Sequence, residues 1–317
     1  MTCSILFLEL ILSLEVDSFN EQIDRAYNRA KDMYKTDFGH MDETLISDGI
    51  AIAYYDNSKK RKVRLIVCPC FLLDNDCPEL WKPTPGNISR LTHKLDKRIA
   101  SYFSGYELAD FKMSQVILAA DIDVGDRDRV SDYIKILHSI GKVKCFSPVK
   151  YRREGLSKDS YFGLVGNSNG LEFRAYGLEH AKKVLRAEVR LRSKSVIRAC
   201  AGNGDTANQI GALAERGEDI FMEAFRHVVP GGNYYKKKQA ETLIRERVRG
   251  GPLRRRMLRL VTLIPEKKSL HLAQKALTVR DINEVMSKFN EIGVSPVTIS
   301  KRHNRKELVS LYSLLEP

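Results

Sequence analysis

The sequence contains no apolar run near the ~18 residues that a membrane-crossing helix needs. Its most apolar stretch, Cys3 to Val16, is broken by Glu9 and Glu15 and has no basic flank. It reads as a first core strand and not as a secretory signal. No GxxxxGKS or GxxxxGKT loop occurs, so no ATP motor is encoded. The six cysteines (Cys3, Cys68, Cys70, Cys77, Cys145 and Cys200) form no CxxC pair, and Cys68-Pro69-Cys70 is too tight for a zinc knuckle. Reduced, buried thiols in a cytosolic compartment are the expectation. The seven histidines include no His-x-His pair, so a metal held by paired imidazoles is not expected.

What is present is a 317-residue chain, 43% hydrophobic, with length for about two domains and a sizeable core. Its net charge of +13 is unevenly spread. Residues 1–150 carry 21 basic and 22 acidic side chains, whereas residues 151–317 carry 32 and 18. Such asymmetry points to a segment that meets a polyanion, with nucleic acid ahead of an anionic membrane because no stretch is amphipathic enough to lie on a bilayer.

The first half patterns as mixed α and β. Ser18 to Tyr34 has helical spacing, with Asp17 or Ser18 as its cap. Gly49 to Tyr55 and Lys62 to Cys68 read as strands, with a hairpin turn at Asp56 to Lys60. Leu80 to Gly86 is a proline-rich loop and Asn87 to Tyr102 a helix. Ser114 to Val124 reads as a strand followed by a helix over Arg127 to Ile140. Three short strands follow at Ser160 to Val165, Leu171 to Gly177 and Val184 to Arg192. Gly166 to Gly170 turns between the first two, and Ala201 to Gly204 reads as a linker into a helical, basic remainder. Gly231-Gly232 and Gly250-Gly251-Pro252 interrupt its helices.

Side chains alternate across a strand, so residues of like parity share a face. In Ser114 to Val124 one face holds Val116, Leu118, Ala120, Ile122 and Val124, and the other carries Asp121 and Asp123. In Leu171 to Gly177, Glu172, Arg174 and Tyr176 lie opposite the apolar set. In Val184 to Arg192, Arg186, Glu188, Arg190 and Arg192 do so. If the three strands share a sheet, Asp121, Asp123, Glu172 and Glu188 lie on a polar face with Tyr176. Clustered carboxylates suit Mg²⁺ or Mn²⁺, which can polarise a phosphodiester. A tyrosine hydroxyl can attack phosphorus, and arginines can neutralise the developing charge. The competing reading is structural, since alternating charges also mark the solvated face of any antiparallel sheet. His180, four residues after Tyr176, is a candidate for proton transfer or a plain surface histidine.

Four basic runs lie between residues 234 and 306. They are Tyr234-Tyr235-Lys236-Lys237-Lys238, Arg245 to Arg249, Arg254-Arg255-Arg256 with Arg259, and Lys301-Arg302 with Arg305-Lys306. Singly each reads as a solvated helix face. Together they suggest phosphate contacts that give affinity without sequence choice. Tyr234 and Tyr235 are candidates either for stacking on unpaired bases or for packing.

On these residues the chain resembles the rolling-circle replication initiators of filamentous phages, the gene II type, and related plasmid initiators. Val116 to Val124 is similar to the family's Arg-Ile-Asp strand, with Asp123 at the aspartate. Leu171 to Leu191 is similar to its tyrosine strand and following Arg-x-Glu strand, with Tyr176 at the nucleophile and Arg186 and Glu188 at the second motif. Arg255 to Pro296 is similar to its C-terminal helical pattern, ending in the turn Gly293-Val294-Ser295-Pro296. Lys62 to Leu73 follows the pattern loosely. Two positions depart: Leu178 stands where the family often has lysine, and Asp121 replaces the arginine of Arg-Ile-Asp. Lys182 or Arg174 is the candidate for the missing charge.

The resemblance implies an α+β fold: an antiparallel-sheet nicking domain with flanking helices over residues 1–200, then a basic, mainly helical DNA-binding part over 201–317. It implies Tyr176 as nucleophile, assisted by Arg186 and Arg174. Mg²⁺ or Mn²⁺ would be held by Asp121, Asp123, Glu188 and Glu172. Lys236, Lys237, Lys238, Arg254, Arg255 and Arg256 are expected at DNA. The implied partners are single- and double-stranded origin DNA, a host helicase and the replication machinery, in a bacterial cytoplasm and without a membrane. Two other readings are a non-enzymatic origin-binding initiator or regulator and, without a recognition motif to back it, an RNA-binding protein.

Overall fold

The computed structural model describes residues 3–14, 43–57, 60–73, 80–149, 160–167, 170–277 and 282–315. The helix expected over Ser18 to Tyr34, the tip of the hairpin at 58–59, the middle of the turn at 168–169 and Cys77 lie outside them. The architecture is α+β, an antiparallel sheet with flanking helices. Eight strands form the sheet: β1 (Cys3–Leu14), β2 (Ile50–Asn57), β3 (Lys60–Val67), β4 (Lys112–Asp123), β5 (Phe146–Pro148), β6 (Tyr161–Gly166), β7 (Leu171–Gly177) and β8 (Val184–Leu191). Their order is β2-β3-β1-β4-β8-β7-β6-β5. No helix among the described residues is long and apolar enough to cross a membrane.

By packing, the chain divides into two compact units, cut differently from the expected 1–200 and 201–317. One unit comprises residues 2–119 and 189–221, and the other 120–188 and 222–317.

In the first unit, β1 and β2 flank β3 in register, so that Leu10, Leu65 and Ile52 line up across three strands. All three are buried, and such cross-strand apolar rows fix the register, because a one-residue slip would turn every side chain over. Helices α1 (Glu43–Asp48) and α2 (Pro69–Leu72) bracket this hairpin. Helix α3 (Pro85–Tyr102) buries Leu91, Leu95 and Ile99 at four-residue spacing as one stripe. It begins inside the stretch expected to be loop. Proline has no N–H to lose at the first helical position, and the Thr84 side chain accepts from the Asn87 N–H at 3.3 Å. Trp81, also expected in that loop, is buried and donates its indole N–H to the Ile5 carbonyl at 2.8 Å.

In the second unit, helix α4 (Arg127–Ile140) buries Val130, Tyr133, Ile134 and Leu137. The Asp126 side chain caps it, accepting from the Arg129 N–H at 2.9 Å, a contact worth ~1 kcal/mol. β6 and β7 pair antiparallel, with Leu164 opposite Phe173 and Phe162 opposite Ala175. Phe173 meets Phe225 edge-on at 6.0 Å. Short helix α5 (Lys194–Ala201), of the first unit, is followed by α6 (Thr206–Val228), with the expected linker shifted by one residue to 202–205. The rest comprises β9 (Tyr234–Tyr235), α7 (Lys237–Arg247), α8 (Gly251–Lys267), α9 (Leu270–Leu277), α10 (Ile282–Glu291), β10 (Glu307–Leu308) and α11 (Leu311–Leu315). Gly293, at φ +68°, ends α10 in a Schellman turn. The Val294 N–H reaches the Phe289 carbonyl and the Gly293 N–H that of Asn290, both at 3.1 Å.

Of the described cysteines, Cys3, Cys68 and Cys70 are buried, whereas Cys145 is exposed and Cys200 half-buried. β4 is buried on both faces from Val116 to Ala120, and its end alternates, with Asp121 and Asp123 exposed on either side of buried Ile122.

Candidate active site on β7 and β8

The alternating charges of β7 and β8 do not form a solvated face. Glu172 and Glu188 are 2% exposed and Arg186 is 3% exposed. Burying charge is costly unless each group is paired, so the partners decide what this face is. β8 lies between β4 and β7. The Val124 N–H reaches the Lys183 carbonyl at 2.9 Å, while Asp121 meets Arg186. Falling numbers on one strand thus match rising numbers on the other, which is antiparallel pairing. On the other side, the Leu178 N–H reaches the Val184 carbonyl at 3.3 Å and Tyr176 meets Glu188.

The Arg186 guanidinium grips Asp121 with both prongs, Nε to Oδ1 at 2.6 Å and Nη2 to Oδ2 at 2.7 Å. Burial alone would lower the Arg186 pKa, but the hydrogen bonds and charge of Asp121 outweigh it and hold the pKa above the ordinary value. Arg174 donates through Nε to Glu172. Half-buried Tyr176 donates its hydroxyl to Oε1 of Glu188. Arg186 lies close enough to exert its charge on both Tyr176 and Glu188, and Arg174 acts likewise on Glu188. At the exposed end of the strands, Lys183 Nζ contacts Asp123 Oδ2 at 2.7 Å. The Lys183 hydrogen bond, then that of the Gly125 N–H, holds the Asp123 carboxyl below the usual carboxylate range.

The backbone just after Tyr176 is tightly backed: a Cβ placed on Gly177 would come within 2.8 Å of Cγ1 of Val130 on α4.

Mg²⁺ or Mn²⁺ is the expected cofactor at Asp121, Asp123, Glu172 and Glu188. Among the described residues no three His, Cys, Asp or Glu side chains converge to hold an ion. Asp121 meets Arg186, Asp123 meets Lys183, Glu172 meets Arg174 and Glu188 meets Tyr176. With these contacts in place the carboxylates do not converge as the oxygen ligands of a divalent ion.

Lys183, not singled out in the sequence, supplies the positive charge beside Asp123, while Lys182 and His180 are exposed. The signal for it was its position just before β8, opposite Asp123. Tyr234 and Tyr235 are 0% and 7% exposed, which removes base stacking and leaves packing. Of the cations expected at DNA, Lys238 and Arg255 are exposed and Lys236, Lys237, Arg254 and Arg256 half-buried. Lys237 lies 3.9 Å from Glu241 and Arg256 3.5 Å from Glu284.

No family model matches the chain, and no curated protein matches it significantly. Among solved structures it is similar to a rolling circle replication initiator protein from Geobacillus stearothermophilus, at 12% identity, over 72% of this chain and 85% of that one, with a TM-score of 0.34. What this site can do follows from its own side chains.

Proposed function

We propose that the chain is a rolling-circle replication initiator of the phage and plasmid kind, which nicks and rejoins DNA through Tyr176. The observation that carries this reading is the phenol of Tyr176, half-buried on β7, hydrogen-bonded to the buried carboxylate of Glu188 on the neighbouring strand. A phenol is a poor nucleophile until its proton has somewhere to go, and Glu188 is within reach to take it. The Tyr176 oxygen bonds to phosphorus, the P–O3′ bond breaks, and the phenolic proton passes to Glu188. The leaving 3′ oxygen takes a proton from water. The product is a 5′-phosphotyrosine and a free 3′ hydroxyl, and the link keeps the bond energy for rejoining. Arg186, with Arg174 beyond it, supplies positive charge beside the reacting phosphate. No step is assigned to Mg²⁺ or Mn²⁺.

In this reading residues 1–200 cut and residues 201–317 grip single- and double-stranded origin DNA, Lys236 to Lys238 and Arg254 to Arg256 among the contacts. A host helicase opens the duplex and the host polymerase extends the 3′ hydroxyl. The second reading, a non-enzymatic origin-binding initiator or regulator, is favoured by the pairing of Asp121, Asp123 and Glu172 with cations, as in a purely structural network.

The two separate on one experiment. Protein is incubated with supercoiled and single-stranded origin DNA, with Mn²⁺ or with a chelator, and run on a denaturing gel. A covalent adduct mapped to Tyr176 supports the enzyme, and its absence in every lane leaves the regulator. Glu188→Gln is expected to slow nicking about 100-fold. An unchanged rate removes Glu188 as the base.

A further inference from the structure

The unit of residues 2–119 and 189–221 has a cleft of its own, of about 400 Å³, within the size range of ligand sites. Buried Phe111, Met113 and Ile197 contribute its apolar lining. Three exposed cations also line it: Lys112 at the start of β4, and Lys194 and Arg198 four residues apart on α5. Like charges at that helical spacing repel. Burial first, then the charges of Lys112, Lys62 and Arg198, hold the Lys194 ammonium below its ordinary pKa, so Lys62 belongs to the same electrostatic cluster. None of the four is tied to an acid among the described residues. The acid in the wall, Asp205, is engaged elsewhere, accepting from the Asn208 N–H at 2.8 Å and from Asn208 Nδ2 at 3.1 Å. Elsewhere the protein pairs its charges, as Asp121 with Arg186 and Asp123 with Lys183 show. Here it gathers three cations against one carboxylate around a concave surface, and an anion relieves their repulsion.

We infer that this cleft binds a phosphate group, carried by the backbone of a nucleic-acid strand or by a free nucleotide, with Lys112, Lys194 and Arg198 as its ligands. The guanidinium fork of Arg198 suits phosphate oxygens, and Lys112 and Lys194 add point charges. Nothing in this assignment depends on Tyr176, so it survives if the chain cuts no DNA.

The test uses the full chain with Lys194→Glu and Arg198→Glu together. Both positions are exposed, and the melting temperature checks the fold. A matched control carries Lys135→Glu and Lys142→Glu, the same charge change at two exposed lysines outside both the cleft and residues 201–317. Fluorescence anisotropy follows binding of a labelled short single-stranded DNA and of a labelled mononucleotide. The cleft variant should bind DNA roughly tenfold more weakly, with a salt slope shallower by about one, while the control stays within about twofold of wild type. Weakening with DNA alone identifies a backbone phosphate, and weakening with both probes a nucleotide. Equal behaviour of the two variants on both probes overturns the proposal, as does wild-type protein that binds neither. If the glutamate variant does not fold, Lys194→Met with Arg198→Met is read by the same criteria.

Discussion

Two tyrosines on strands of the second unit stand in opposite surroundings. On β7, Tyr176 is half-buried and its hydroxyl finds a carboxylate on the next strand. On β9, Tyr234 is fully buried, stacks edge-on against Tyr133 at 6.1 Å, and its hydroxyl has no hydrogen-bond partner among the described residues. Burial first, then the neighbouring Tyr312 and Tyr133, pushes the Tyr234 pKa far above its ordinary value. The aromatic bodies serve the core in both places; what differs is the proton. A phenol beside an acceptor and open to solvent can do chemistry, whereas one sealed among apolar neighbours costs the fold the desolvation of its hydroxyl.

The comparison breaks most cleanly on the covalent adduct. Tyr176→Phe is expected to abolish it while DNA binding persists, and Tyr234→Phe to leave it intact. An adduct of normal yield in the first variant, or none in the second, would undo the contrast. The next largest effect is on stability, measured by urea unfolding. Asp121→Asn takes the Asp121 charge away from the nearly buried Arg186 guanidinium and should cost about 3 kcal/mol. Lys183→Met acts on an exposed pair and should cost less than about 1 kcal/mol. Equal costs would mean that burial does not set the worth of these pairs. Tyr234→Phe should raise stability by about 1 kcal/mol, since it deletes a buried hydroxyl that lacks a partner. A fall in melting temperature would reveal one.

The smallest effect is on pH. The folded pKa of Asp123 lies below its ordinary 3.8, so its pairing helps fully above that value and is lost as pH falls through the folded pKa. Asp123→Asn should therefore flatten the stability profile only at the acid end. A change of slope near neutral pH, as distinct from a constant offset, would contradict the assignment.

Much of the fold was legible in the sequence because local signals were strong. Helix α4 and strand β7 have the bounds that their patterns predict, the helix because Asp126 caps it and Gly141 follows it at φ +72°. The start of α3 was missed because proline and glycine read as loop, although proline suits a first turn. The candidate site was half legible. Period-two alternation identified Glu172, Tyr176, Arg186 and Glu188 as one set, but a solvated polar face and a buried, paired one share that pattern. Burial and partners depend on which strands adjoin, and strand order is set by contacts far apart in sequence. For the same reason the pattern alone does not tell acids gathered around an ion from acids that meet cations and a phenol. The tyrosines of β9 sit beside three lysines, and nothing local tells a stacking platform from a core pair.

The close fit of Gly177 against Val130 turns helix α4 into an alignment stop for the residue that precedes it. Bulk at that position must displace the Val130 methyl, the strand or both, and a strand that yields carries the phenol with it. A single methyl, G177A, would thus act on Tyr176 without touching an oxygen of the site.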